Sequence, residues 1–185
     1  MTTHDEFVPA GSIPLGVYEC PVPYKRLLTP VMLAHLSATC RIKYHKDTSC
    51  NTADVAAKLV VVPRPDFGFF DAHLPNAVAS LRLGASGLSP IAANYFPEVV
   101  AWLCQHVHDP AEQETVDWLQ AELTRINALI HEQYPTSAKQ FLRNRGLPIT
   151  TVCRTASSTL PAKHHTALSA LHRNVAEWHE RLNLN

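Results

Sequence analysis

Short hydrophobic segments alternate with amphipathic ones over the first hundred or so residues of the chain. Four segments rich in β-forming residues predict strands, and each is followed by a segment with helical character. Thr29 and Pro30 are typical of the start of the first helix, and Gly84 is typical of the end of the third. The predicted order is strand 14–20, helix 29–39, strand 41–46, helix 51–61, strand 66–70, helix 75–84, strand 86–92 and helix 96–107.

The regular spacing of the strands indicates a parallel sheet. Their starts, near residues 15, 41, 66 and 87, are separated by about the length of one strand–helix unit. Parallel neighbours need a crossover connection of this length, which is usually a helix. We therefore expect an α/β fold in which the four strands form one parallel sheet.

The chain becomes wholly helical after this region. Apolar residues step by three and four through 115–130 and again through 168–182, so each segment has one apolar stripe. A shorter helix is expected over 136–146. The predicted organisation is a leader over 1–13, a strand–helix region over 14–109 and a three-helix extension over 110–185.

Composition narrows the class of protein without identifying it. The 185 residues suit one domain of ordinary size, and sixteen Lys and Arg balance sixteen Asp and Glu. Balanced charge gives no field that would attract nucleic acid, so no nucleic-acid partner is expected. No apolar run approaches the length needed to span a bilayer, so no membrane partner is expected either.

Cysteine and histidine spacing gives two further expectations. The five cysteines form no CxxC pair, and no signal-peptide pattern opens the chain, which favours reduced thiols and a cytoplasmic location. The eleven histidines show no metal-binding spacing. We therefore expect no metal and no cofactor.

Four motifs, in order along the chain, carry a resemblance to a known family. They are YECPVPYKRLLTP, HKDTS, LRLGASGLSPIAANYFPE and SAKQFLRNRG. In this order they resemble the dihydrodipicolinate synthase / N-acetylneuraminate lyase family, whose members are (β/α)8 TIM barrels with a C-terminal helical extension. Members act as Schiff-base (class I) aldolases and lyases on 2-oxo acids. The resemblance implies that this chain corresponds to the last four βα units of such a barrel and the extension that follows.

The resemblance assigns roles to four residues. Tyr18 in YECP matches the catalytic tyrosine of the family's Y-N-x-P motif, and Lys46 in HKDTS matches the Schiff-base lysine of its I-K-(D/E)-(S/T) motif. Thr48 and Ser89 fall at positions that the resemblance implies contact substrate. The implied activity is a carbon–carbon lyase or aldolase acting on a pyruvate-type 2-oxo acid or a 2-keto-3-deoxy sugar acid.

Strand geometry gives Lys46 a physical reason to react. Alternation would place Ile42, Tyr44 and Lys46 on one face of the strand, and Lys43 and His45 on the other. If the first face points into a barrel, Lys46 lies at the rim where such barrels hold their active sites. Poor hydration there favours the neutral amine, which is the form that attacks a ketone. A phenol within hydrogen-bond reach can then relay protons.

Other lysines compete for the nucleophile role. Lys58 is predicted on a helix and Lys43 faces outward on this alternation, so both are expected to be solvated. The chain also departs from the family pattern. An arginine expected five residues after the tyrosine is replaced by Pro23, with Lys25 and Arg26 nearby as substitutes.

The family's first half, which carries a carboxylate-binding loop, has no counterpart in the sequence. We therefore expect a truncated product of reduced activity, a homo-oligomer, or a second chain that supplies the missing half barrel. Two other functions stay open. One is a non-catalytic remnant or interaction protein, and the other is a small α/β binding domain with only a topological likeness to the barrel.

Overall fold

The computed structural model describes residues 13–63 and 65–184, so the predicted leader lies, except for its last residue, outside the described residues. The chain divides into two compact units, one ending at Pro90 and the other beginning at Ile91. The predicted boundary between 109 and 110 stays a prediction.

A four-stranded parallel sheet forms the centre of the first unit. The expected α/β fold and parallel arrangement are confirmed. The fourth strand is shorter than predicted, because the chain enters a 3-10 turn at Ile91–Asn94. In sheet order the strands are β1 (Leu15–Tyr18), β2 (Ile42–Asp47), β3 (Gly68–Asp71) and β4 (Gly87–Leu88), and the intervening helices are α1 (Pro30–Ala38), α2 (Thr52–Val61) and α3 (Ala77–Arg82).

Side chains at the helix starts fix where α1 and α2 begin. The Thr29 hydroxyl accepts a hydrogen bond from the backbone N–H three residues on, and Pro30 occupies the first helical position, as predicted. The Asn51 side chain accepts from the N–H groups two and three residues on. These bonds satisfy donors that have no partner inside the helix.

The two faces of the sheet differ in burial. On the helix-facing side, β2 and β3 contribute to a continuous apolar core. On the other side, called here the open face, Tyr18 is 49% exposed and Tyr44 is 50% exposed. The core consists of Leu28, Leu33, Leu36, Ile42, Val55, Leu59, Val62, Phe67 and Phe69.

Glycine lets aromatic rings lie against the open face. A Cβ on Gly68 would lie 2.8 Å from Cδ1 of Tyr44 and 2.9 Å from Cε2 of Phe70. Any larger residue at this position would therefore have to move one of the two rings. The glycine marks a close approach of side chains to the strand backbone.

The alternation predicted for β2 is wrong at Ile42. This residue belongs to the helix-facing core, whereas Tyr44 lies on the open face. The pairing explains the difference, since Leu15 pairs with Ile42 but the next residue, Gly16, pairs with Tyr44. The extra residue in β2 forms a bulge, and a bulge changes which face the following side chains take.

Helices form the second unit. The apolar stripe predicted for the first long helix is confirmed, since Val116, Leu119, Leu123, Ile126 and Ile130 are all buried. The stripe of the last helix is confirmed in the same way by its buried leucines, valine and tryptophan. No helix in the described part of the chain combines the length and apolarity that crossing a membrane requires. The helices are α4 (Pro97–His106), α5 (Gln113–His131), α6 (Thr136–Asn144) and α7 (Ala162–Arg181).

Candidate active site

Tyr18 and Lys46 lie side by side at the carboxyl ends of β1 and β2. They are partners in the strand pairing, and both project from the open face. The Lys46 Nζ atom lies over the tyrosine ring, 4.5 Å from its centroid. The two residues that sequence analysis selected, 28 positions apart in the chain, are therefore in direct contact.

The environment of Lys46 favours its neutral form. Partial burial lowers the pKa of the Lys46 amine below the ordinary 10.5, and the nearby Cys20 opposes this shift only in part. A lowered pKa increases the fraction of unprotonated amine at neutral pH, and only this form adds to a carbonyl carbon. The geometry and electrostatics of Lys46 both suit a nucleophile.

Thr48 and Ser89 are held by backbone contacts. The hydroxyl of Thr48 donates to the carbonyl oxygen of Glu19 over 2.6 Å, and the side chain is buried. Because the hydroxyl proton is already donated to this carbonyl oxygen, Thr48 could only accept a hydrogen bond from a substrate. Ser89 follows β4, two strands away from Lys46, and its N–H donates to the carbonyl oxygen of Asp71 over 2.8 Å. Substrate contact by either residue stays a prediction.

A cavity of about 370 Å³ lies beside Tyr18 along β1. Arg26, Tyr24 and Glu19 line it together with Cys20 and several apolar side chains. Of the two basic residues that could replace the family's arginine, Arg26 therefore shares a cavity with Tyr18. Lys25 instead lies with its Nζ atom 3.9 Å from the sulfur of Cys50.

The helix-facing side of the sheet holds a group of ionisable side chains directly behind Tyr18 and Lys46. We call Glu19, His45, Asp47 and Lys58 the buried cluster, because none is more than 2% exposed. The Lys58 Nζ atom lies 2.6 Å from Oε1 of Glu19 and 2.5 Å from Oδ2 of Asp47. The expectation that Lys58 is solvated is therefore wrong. It lies on the buried side of α2 between Val55 and Leu59.

Opposite charges stabilise the ionised forms within the buried cluster. Burial alone would raise the pKa of Asp47, but His45, 3.6 Å away, and hydrogen bonds from Lys58 and Ser49 hold that pKa far below its usual range. Burial would also lower the pKa of Lys58, yet the two carboxylates raise it above 10.5. The lysine is therefore an ammonium ion that compensates two buried carboxylates.

His45 occupies an unusual position within the buried cluster. Its Nε2 atom lies 3.6 Å from a carboxylate oxygen of Glu19 and 3.6 Å from one of Asp47. Neither ring nitrogen makes a hydrogen bond among the described residues. The ligand atoms of His45 and the two carboxylates lie within 4.8 Å of one another, which is close enough for a metal site. The ammonium of Lys58, however, already occupies the space between the carboxylates.

Sequence reasoning missed the buried cluster, although two signals pointed to it. Glu19 stands where the quoted family motif has Asn, and His45 stands where it has Ile, so an ionisable residue replaces the motif residue beside each of the two candidates. In addition, Lys58 falls on the apolar stripe of its helix, three residues after Val55. A lysine on a buried stripe needs a buried partner of opposite charge.

Several solved structures have the same fold as this chain. A dihydrodipicolinate synthase from Bacteroides thetaiotaomicron aligns with a TM-score of 0.78 at 21% identity and covers 92% of this chain. A dihydrodipicolinate synthase from Thermotoga maritima gives 0.80 at 16% identity, also over 92%. A prophage protein of the dihydrodipicolinic acid synthase family from E. coli K12, in complex with pyruvate, gives 0.75 at 21% identity over 93%.

These alignments cover only part of the other proteins. The chain spans 57–59% of the length of each of the three structures. At these identities the structural likeness shows the fold alone. No curated protein matches the chain significantly. The model of the dihydrodipicolinate synthetase family matches residues 2–174, and the chain therefore belongs to that family.

Proposed function

We propose that this chain carries the Schiff-base site of a carbon–carbon lyase or aldolase, with Lys46 as the nucleophile and Tyr18 as the proton relay. The observation that supports this most directly is the position of the Lys46 amine over the Tyr18 ring, on paired residues at the carboxyl ends of parallel strands. Carboxyl ends of strands are where barrels of this kind hold their active sites.

The proposed chemistry begins with attack of the neutral Lys46 amine on the carbonyl carbon of a 2-oxo acid. Proton transfers to the oxygen release water and leave an iminium between lysine and substrate. The iminium withdraws electrons from the neighbouring bond, so that either a C–C bond breaks or a C3 proton leaves, and an enamine forms. Tyr18 accepts and returns the protons that these steps move.

A small 2-oxo acid is the proposed ligand class. Pyruvate is bound in the structure of the E. coli prophage protein, which has the same fold over most of this chain. Arg26 lies in the cavity beside Tyr18 and would attract a substrate carboxylate. Pyruvate and 2-keto-3-deoxy sugar acids both fit this description.

The site as described is open on one side. Tyr18 and Tyr44 are each about half exposed on the sheet face that would line the interior of a closed barrel. The chain also spans less than three fifths of the related structures. We infer that the chain corresponds to the last four βα units of the barrel, and that the units closing the face come from further residues of the same polypeptide or from another chain. Residues 1–185 alone should have reduced activity.

A non-catalytic interaction protein is the alternative function. The exposed aromatic face favours it, because a large apolar surface suits a partner as well as a substrate. A chain of this kind would keep its sheet and its association surface without forming a covalent adduct. The predicted cytoplasmic location is compatible with either function and stays a prediction.

The first prediction tests the proposed chemistry directly. Incubation of the wild-type chain with pyruvate and borohydride should add a reduced pyruvyl group to Lys46, because reduction fixes the iminium. Mass spectrometry of the digested protein should find the adduct on the peptide that contains Lys46. An absence of any adduct, or an adduct on Lys43 instead, would contradict the proposal and favour the interaction protein.

A second prediction concerns the open face. Exposed strand edges and apolar faces associate readily with other chains. We expect residues 1–185 at micromolar concentration to sediment as oligomers and to bind a dye specific for exposed apolar surface. A monomer in sedimentation that melts cooperatively and binds no dye would show that the face needs no cover.

A further inference from the structure

The buried cluster joins two strands at the residues next to the proposed catalytic pair. Glu19 directly follows Tyr18 in the chain, and Asp47 directly follows Lys46. Successive strand residues point to opposite faces of the sheet. The bonds that the Glu19 and Asp47 carboxylates make on the helix-facing side therefore constrain the backbone that carries Tyr18 and Lys46 on the open face. The cluster is therefore placed to influence the phenol and the amine through the backbone of the two strand ends.

Glu19 connects three segments of the chain. Its Oε1 atom accepts a hydrogen bond from the N–H of Leu28, and its Oε2 atom accepts one from the N–H of Thr48, each over 2.8 Å. Its own N–H donates to the carbonyl oxygen of Lys46 over 3.2 Å. The end of β1 is thus tied to the loop that follows it and to the end of β2.

Lys58 makes this arrangement electrostatically possible. Its ammonium contacts one carboxylate from each strand end, at 2.6 Å and 2.5 Å, in a site where all three side chains are buried. Without this cation, two carboxylates would stay buried next to each other with no full compensating charge. Ionised groups left unpaired in such a place move apart, take up protons or admit water.

We propose that Lys58 is a positioning residue, whose ammonium ties β1 to β2 behind Tyr18 and Lys46 and so sets the spacing and hydration of the phenol and the amine. The expected effect of Lys58 on pyruvate trapping rests on the proposed function, whereas its expected effect on the titration of the Lys46 amine does not.

A charge-balanced double variant separates the loss of the bridge between β1 and β2 from a change in the net charge of the buried cluster. Lys58→Met alone leaves two unpaired buried carboxylates and is at risk of not folding. Glu19→Gln combined with Lys58→Met removes one negative and one positive charge, so the net charge of the buried cluster is unchanged while the bridge between the strands is lost. The conservative variant Lys58→Arg keeps a cation at the bridge. Lys163→Met, an exposed lysine at the start of α7, is the matched control.

The readout is the titration of Lys46 itself. Competitive acetylation with acetic anhydride over about pH 7 to 11, read by mass spectrometry of the peptides, gives the midpoint for each lysine without any substrate. In the wild type, the midpoint of Lys46 should lie below the ordinary 10.5 of a lysine. In the folded double variant, loosened strand ends should hydrate Lys46 and raise its midpoint towards 10.5. Pyruvate trapping should fall by about tenfold to a hundredfold.

Each remaining outcome decides the question. Lys58→Arg should keep a Lys46 midpoint closer to that of the wild type than the double variant does, and Lys163→Met should leave both readouts unchanged. A double variant that melts cooperatively and keeps the wild-type midpoint would overturn the proposal. If the wild type forms no pyruvate adduct, the proposed function fails, but the midpoints still test the role of Lys58.

Discussion

Lys46→Ala is expected to abolish the pyruvate adduct completely and to stop the exchange of pyruvate methyl protons with deuterium. Both reactions need the iminium, and the variant removes the amine that is proposed to form it. Lys46 is also the residue whose amine combines partial burial, a lowered pKa and contact with a phenol. Mass spectrometry measures the adduct, and proton NMR measures the exchange.

A matched control is available three residues earlier in the same strand. Lys43→Ala removes a lysine from the same strand and should keep both reactions, because Lys43 lies near the start of β2, whereas the Lys46 amine lies over the Tyr18 ring near its end. Cooperative melting of both variants would show that the sheet is intact. Trapping or exchange that persists in Lys46→Ala would remove Lys46 from the mechanism.

Tyr18→Phe is expected to slow the proton exchange of pyruvate by about 10²- to 10⁴-fold, the usual contribution of a positioned acid–base group. The variant keeps the ring under the lysine and removes only the hydroxyl. Some iminium should still form and be trapped by borohydride, because the nucleophile is unchanged. The measurement compares exchange rate with trapping yield in the same preparation.

Tyr44→Phe provides the control for this effect. Tyr44 is a half-exposed tyrosine of the same face, so loss of its hydroxyl perturbs the surface to a similar extent. Its exchange rate should stay close to that of the wild type. Equal rates in Tyr18→Phe and the wild type would leave Tyr18 with a packing role.

The sequence contained enough information for the order of the elements and for the contact between the two catalytic candidates. Strand spacing and capping residues are signals that lie within short segments of the sequence. Thr29 is an example, because it caps the helix that begins at the next residue, as predicted. The pairing of Tyr18 with Lys46 follows from two motifs at equivalent ends of adjacent parallel strands.

Features that depend on contacts between distant segments were predicted incorrectly. Lys58 was expected in solvent, because a lysine on a helix usually is, yet carboxylates 39 and 11 residues away in the chain bury it. Simple alternation predicts the wrong face for Ile42, because it takes no account of a bulge. A bulge depends on how two strands pair, and no single strand sequence contains that information.

The bulge in β2 also determines how the chain tolerates changes in length. Ile42 is fixed in the helix-facing core, so strict alternation from that residue would turn Tyr44 and Lys46 towards the helices and His45 towards the open face. The one extra residue before Tyr44 prevents this. Loss of one residue between Ile42 and His45 would remove the bulge and restore regular alternation, so the amine of Lys46 would stay on the open face and the imidazole of His45 would stay towards the helices. Evolution of the site should therefore accept β2 with or without the extra residue, whereas the residues from His45 to Asp47 must stay contiguous for amine and imidazole to keep opposite faces.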